Sequence, residues 1–297
     1  MKPSPFVYHR PDDAAHAFEL LGELGDDAKV LAGGQSLVPL LALRLASPAH
    51  LVDIGHIAAF GALDVAMSGS GVVVVGANVT QRGAELDARV AAQVPLLADA
   101  LPLIAHPQIR NRGTVCGSIA HADPAAELPA VAVALDATMV ARSCRGERRI
   151  AASDFFVSYL DTALAPDEML VAVEFACAPR RSGAAFREIS RRHGDFAVVG
   201  VAVSVTLGDD MRMADVRVVF SGVGPVPVRA DAGERTLRGN VPSDEVFAAA
   251  ARDATSVLDP SGDIHATADY RTHVAGVLVQ RALRVACERA AGAASQS

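Results

Sequence analysis

At 297 residues the chain is too long for one small core, and with 51% hydrophobic and 21% charged residues it has the balance of a folded protein of two or three packed units. A net charge of −7, no basic cluster and lysine only at Lys2 and Lys29 exclude a nucleic-acid partner, which needs a concentrated cationic face. The longest apolar runs, 37–43 and 72–75, fall far short of the roughly 18–20 residues of a membrane span, and residues 1–10 lack the apolar stretch of a secretory leader, so a cytoplasmic location is expected.

Pro11, Asp12 and Asp13 open an expected helix whose apolar face is Phe18, Leu21 and Leu24, and Gly25 stops it. Residues 29–32 read as a strand, 33–36 as a turn, 37–45 as an apolar helix and 50–54 as another strand. That β-α-β-α-β order predicts a small parallel sheet. A second, α+β unit follows. It begins with a strand at 72–76, a helix capped by Thr80 and an apolar helical stretch at 94–105. After the break at Pro107 come a polar, glycine-containing turn region over 108–117 and a helix begun by Pro124. Two strands, 137–142 and 168–176, complete it. Residues 179–183 read as a linker. Beyond it lie strands at 185–189, 198–207 and 216–222, with Asp209 and Asp210 turning the hairpin between the last two. Three helices end the chain. In the last, 269–290, Val274, Val277, Leu278, Arg281 and Val285 trace one face, and the Ala/Ser tail 291–297 is expected to be disordered. The expected domains are 1–178, with subdomains of about 1–57 and 58–178, and 179–290.

Two glycine stretches stand out: Ala32-Gly33-Gly34-Gln35-Ser36, followed by Leu37, and Thr114-Val115-Cys116-Gly117-Ser118. Glycine permits positive φ and close backbone approach, so successive N–H groups can converge on an anion, and a following helix start adds positive potential. Two such loops face to face would clamp a pyrophosphate. Neither matches the Rossmann fingerprint or the P-loop. In HADPAAELP (121–129), Asp123 and Glu127 are four apart, and a helix from Pro124 would put both carboxylates on one face. They read either as acceptors for ribose hydroxyls or as acids that suit a helix start. Cys116, Cys144, Cys177 and Cys287 lie far apart, with neither metal-ligand nor disulfide-framework spacing, and read as small buried hydrophobes apart from Cys116 within its loop.

The joint pattern AGGQSLVPLL (32–41), HPQIRNRGTVCGSIAHADPAAELP (106–129) and RRHGDFAVVGVAV (191–203) resembles the flavin-binding medium subunit of the xanthine dehydrogenase family, within it the carbon monoxide dehydrogenase type, from about residue 3 to residue 288. The resemblance implies an α+β protein: a PCMH-type FAD-binding fold of two α/β subdomains, then a C-terminal domain of a three-stranded antiparallel sheet plus helices. It implies non-covalent FAD with its pyrophosphate between the glycine loops, Glu127 on the ribose or adenosine end with Asp123 close by, Ile104 packed on the flavin nucleotide, and Leu170 and Phe196 near the isoalloxazine ring. Cys116 stands where relatives have a second glycine and Ser118 where they have asparagine. His106, His121 and His193 flank the expected flavin and are candidates for tuning its potential. No residue here acts on the substrate. The expected partners are a large molybdopterin-binding subunit and a small subunit with two [2Fe–2S] clusters, assembled as a dimer of heterotrimers. The forms AGGQS and HADPAAELP depart from those associated with carbon monoxide oxidation, which argues against that substrate. The alternatives are a self-contained flavin oxidase or dehydrogenase on the same fold, and a non-enzymatic FAD-holding scaffold.

Overall fold

The computed structural model describes residues 2–65 and 71–295. The first sheet is parallel, with strands β1 (Val7–His9), β2 (Ala28–Leu31) and β3 (His50–Asp53) in the order β1-β3-β2, as the alternation of strand and helix predicts. Helix α1 (Ala14–Leu24) starts where the Asp13 carboxylate accepts the His16 N–H at 2.9 Å, buries Ala17, Phe18 and Leu21, and stops at Gly25, where φ is 51°. Helix α2 (Leu37–Leu43) follows the first glycine loop.

The second sheet is antiparallel. It contains β4 (Leu63–Val65) and β5 (Val72–Gly76), then, after six helices, β6 (Thr138–Ser143), β7 (Gly146–Ala151) and β10 (Met169–Ala176), in the order β4-β5-β10-β6-β7; a hairpin, β8 (Phe156–Ser158) and β9 (Asp161–Thr162), precedes β10. Strand β7 is mostly exposed and carries Glu147, Arg148 and Arg149, so it lacks the alternation that marks a half-buried strand. The six helices are α3 (Gln81–Leu86), α4 (Ala88–Gln93), α5 (Pro95–Ala100), α6 (Pro107–Arg110), α7 (Val115–His121) and α8 (Glu127–Ala134), with α9 (Ala152–Phe155) after β7. Thr80 caps α3 as expected, its hydroxyl accepting the Gly83 N–H at 3.0 Å. The apolar stretch 94–105 is broken: α5 ends at Ala100, Pro102 sits in a single tight turn, and Ile104 is extended.

Two expectations in this region are corrected. The turn region 108–117 holds most of α6 and the start of α7, because Pro107 begins one helix and the Thr114 hydroxyl caps the other by accepting the Gly117 N–H at 2.9 Å. Pro124 begins no helix. The Asp123 carboxylate accepts the Ala125 N–H and its carbonyl the Ala126 N–H, so 123–126 is a turn and α8 starts at Glu127. Asp123 and Glu127 therefore do not share a helical face.

The three expected C-terminal strands, β11 (Ser182–Ile189), β12 (Val199–Leu207) and β13 (Met213–Ser221), form an antiparallel sheet that a two-residue edge strand, β14 (Val228–Arg229), extends to four. Two residues are too few to carry a periodic signal. One face of this sheet packs on α10 (Asp231–Leu237), α11 (Asp244–Thr255) and α12 (Ala268–Ser295). The other face, through Ala184, Phe186, Ala202 and Val219, joins the core of the preceding sheets, with α8 buried between at all eight of its residues. The seam is tied at both ends of α8. Gly222 donates its N–H to the Pro124 carbonyl at 2.8 Å, and Asp136 accepts from Arg217 and Arg229, each at 3.1 Å.

Helix α12 turns Val274, Ala275, Leu278, Ala282, Leu283 and Ala286 inward, while Arg281 is exposed, so the expected face is displaced by about a third of a turn. The helix runs to Ser295, and of the expected frayed tail residues 296–297 lie outside the described residues. No helix among the described residues is long and apolar enough to cross a membrane. The buried arginine of α12 is Arg271, 8% exposed, which donates to the carbonyls of Val198 and Gly222 and to Asp263. Arg271→Leu strands both carbonyls, and urea unfolding should show a loss of about 2–4 kcal/mol, against less than about 1 kcal/mol for Asp263→Asn at the exposed end of the network.

Candidate functional site

The first glycine loop leaves β2 and enters α2. Gly34 has φ +73°, and its carbonyl accepts the Val38 N–H at 3.0 Å, which folds the chain back into the helix. Gln35 Nε2 donates to the Gly33 carbonyl at 3.1 Å. The Ser36 hydroxyl makes no capping bond within α2. Gly33 is there for space. A Cβ on it would run into the Arg112 carbonyl oxygen and stand 2.9 Å from Gly113 Cα.

Arg112 and Gly113 lead into the second glycine loop, so the two loops touch backbone to backbone. The second loop is held from the other side by 79–81: Gln81 N–H donates to the Gly113 carbonyl at 2.8 Å and Val115 N–H to Val79 O at 3.1 Å. Asn78 Nδ2 donates to Ile54 O at 2.6 Å, tying the exit of β3 to the same layer. Sequence reasoning passed over Asn78 and Gln81. Both leave a buried amide oxygen, Asn78 Oδ1 and Gln81 Oε1, without a hydrogen-bond partner.

Thr114 and Gly117 shape the start of α7, where a Cβ on Gly117 would come 2.6 Å from Thr114 Oγ1. Cys116 turns away from the loop surface. Its Sγ lies 3.3 Å from Val75 O under β5, and burial pushes the thiol up to about 12. The Cys116 side chain is therefore packing, and only its backbone belongs to the loop. Ser118 lies one residue further along α7.

Ile104, almost fully buried, sits where α5 and its following turn end. Buried Arg110 fixes this corner by donating to Ile104 O at 2.8 Å while pairing with both Glu85 oxygens at 2.9 and 3.2 Å. The Arg110 guanidinium holds the Glu85 carboxyl below its ordinary range. Against the same corner packs Gly194, where a Cβ would meet Ala105 O at 2.9 Å and the His106 ring at 2.8 Å; the His106 and His193 rings are 6.0 Å apart. Two of the three candidate histidines thus hold the 191–196 loop against the Ile104 corner. Half-buried His121 has its imidazole pushed down by burial.

Between the first two sheets with their helices and the C-terminal sheet lies a cleft of about 920 Å³, walled by Asp123, Tyr159, Arg191, Phe196, His265 and Arg271 among others. Of the expected site residues, Asp123 and Phe196 line this cleft, and Phe196 is 60% exposed. Glu127 is 4% exposed at the first position of α8, and burial, with Asp123 adding repulsion, pushes its carboxyl up to about 7. Leu170 is buried in β10, where the register with β6 shifts. Of the expected set, most thus fall on the interlocked glycine loops, the Ile104 corner and the cleft, while Glu127 and Leu170 are buried in α8 and β10 outside them. Crowded glycines and unpartnered buried acceptors are what a dinucleotide with a pyrophosphate and several hydroxyl donors requires.

The chain matches the model for the FAD binding domain in molybdopterin dehydrogenase over residues 4–176, and that for the CO dehydrogenase flavoprotein C-terminal domain over residues 184–286. It is 42% identical over 290 residues, 98% of this chain and 97% of the relative, to subunit alpha of the 6-hydroxypseudooxynicotine dehydrogenase complex of Paenarthrobacter nicotinovorans. It is similar to a chain in the solved carbon monoxide dehydrogenase of Hydrogenophaga pseudoflava, with a TM-score of 0.93 at 38% identity over 97% of this chain and 99% of that one. A chain in quinoline 2-oxidoreductase of Pseudomonas putida 86 gives 0.92 at 36% identity over 98% and 99%.

Two measurements check this geometry. Gly33→Ala forces the two loops apart, and FAD content of the purified protein should fall at least about tenfold with the rest of the fold intact by circular dichroism, since overpacking of a close backbone contact costs on the order of 1–3 kcal/mol. Brief alkylation of the folded protein should label exposed Cys144 and spare Cys116 and Cys287, which react only after unfolding; peptide mass spectrometry reads the order.

Proposed function

The chain belongs to the FAD-binding medium subunits of the xanthine dehydrogenase and carbon monoxide dehydrogenase family and is an electron-transfer subunit of a molybdenum hydroxylase; from that premise we propose how it works and with whom. It pairs with a large molybdopterin subunit, where substrate is hydroxylated, and a small subunit with two [2Fe–2S] clusters, as a cytoplasmic dimer of heterotrimers. FAD, held without a covalent bond, supplies a carrier between the clusters and an external acceptor. This chain's residues bind and orient it. The loops at 32–37 and 114–118 take the pyrophosphate on backbone N–H groups, Asp123 and Glu127 take hydroxyl donors, and Ile104, Leu170 and Phe196 pack against the flavin nucleotide and ring. The observation that carries the reading is the contact of Gly33 with Arg112 and Gly113, which brings the two glycine loops together backbone to backbone.

Division of labour provides the test. The isolated chain, loaded with FAD, should be inert towards aldehydes, N-heterocycles and carbon monoxide, yet be reduced by dithionite and pass electrons to a tetrazolium dye. Adding the two partner subunits should restore substrate-dependent bleaching of the flavin. Rapid bleaching by a substrate in the isolated chain would instead establish a self-contained flavoenzyme, and absence of FAD binding a different role altogether.

A further inference from the structure

The face of the C-terminal sheet that meets the first domain is built in rows. One row, Phe186–Ala202–Val219, is apolar and buried in the shared core. The pleat brings the residues two positions on to the same face, and there the row reads Glu188–Gly200–Ser221. An acid, a gap and a hydroxyl replace three apolar side chains. The gap is required, because a Cβ on Gly200 would run into Ser221 Oγ and lie 3.2 Å from the Phe186 ring. Ser221 is 1% exposed, and both Ser221 Oγ and Glu188 Oε2 are buried with no hydrogen-bond partner.

This row abuts the turn that carries the candidate cofactor acids. The residue after Ser221, Gly222, donates its N–H to Pro124 O, between Asp123 and Glu127. Burial pushes the Glu188 carboxyl up to about 8, and the charge of Glu127 adds to it. A closed apolar interface would have no use for either group. Buried polar atoms are almost always satisfied, so two orphans in one row mark the partner atoms of something that binds there.

We propose that Glu188 and Ser221 form a second polar contact for FAD, in which Glu188 accepts a hydrogen bond from a cofactor hydroxyl and Ser221 Oγ bonds beside it, so that the cofactor is gripped by both domains. The inference rests on the FAD site proposed above. The ribityl chain and the adenosine ribose offer the same hydroxyl chemistry, and the experiment separates them.

The full chain, stripped of flavin, is titrated with FAD, FMN and ADP by fluorescence quenching and calorimetry. Glu188→Ala should weaken FAD roughly tenfold or more, the loss expected when a buried hydrogen-bond partner is removed, and should weaken either FMN or ADP to match while leaving the other unchanged. FMN identifies the ribityl chain and ADP the ribose. Glu188→Gln, which keeps an acceptor oxygen, should recover most of the affinity. Ser221→Ala, which removes one oxygen and disturbs the fold least, should weaken the same ligands roughly threefold or more, and decides the matter should Glu188→Ala not fold. Wild-type affinity for FAD in both alanine variants overturns the contact, as does equal weakening of FMN and ADP that Gln does not restore, the mark of a structural role. A wild-type chain that binds no FAD removes the underlying site as well.

Discussion

Two backbone segments from different units meet where Gly33 rests on the carbonyl of Arg112 and on Gly113, and nothing with a Cβ fits between them. That contact fixes the spacing of the two glycine loops, and the surrounding bonds serve to hold it. Gln81 and Val115 pin the second loop to 79–81, Asn78 reaches back to Ile54 at the exit of the parallel sheet, and Arg110 braces the Ile104 corner. Residues 32–37 and 114–118 hold no lysine or arginine, so the pyrophosphate contact proposed for them rests on the distance and orientation of backbone dipoles rather than on mobile charge. Precision of packing substitutes for charge.

The second organising contact is the seam between the C-terminal sheet and the first two sheets. Its core is continuous, and hydrogen bonds close it at Pro124–Gly222, at Asp136 with two arginines, and at Asp99, which accepts from the Phe186 N–H at 2.9 Å and from Arg289 at 3.1 Å. The 191–196 loop, which carries Phe196, is positioned from both sides of this seam, by the Ile104 corner below and by Arg271 and the carbonyl of Val198 behind. The cleft is a product of that joint placement. Neither unit alone encloses it.

Much of this was legible in the residues. The Asp13 and Thr80 caps, the parallel order of the first sheet and the three long C-terminal strands follow from local rules of periodicity and capping. The two glycine loops were legible as places where backbone must come close, though not which surface they touch. What failed was set by tertiary context. Pro124 looks like a helix opener, but the Asp123 side chain captures the Ala125 N–H first and makes a turn. Strand β7 is charged because it is an edge, and β14 is too short to show a period. Arg281 interrupts an apolar stripe in the sequence while Arg271 is the one that is buried, because two carbonyls and Asp263 are waiting for it. Glu188 gave no signal at all. Its position becomes notable only when cross-strand register aligns it with Gly200 and Ser221.

Helix α8 has no face that tolerates water, and the surfaces that cover it are made at very different times during synthesis. The chain up to Ala134 emerges long before Ser221 closes β13, an interval on the order of five to fifteen seconds at ordinary elongation rates. During it the seven apolar residues that follow Glu127 wait without their lid. A chain halted between α8 and β13 should therefore expose that segment and be prone to aggregate. Shuffling the FAD-binding half onto another C-terminal partner would have to supply that lid anew.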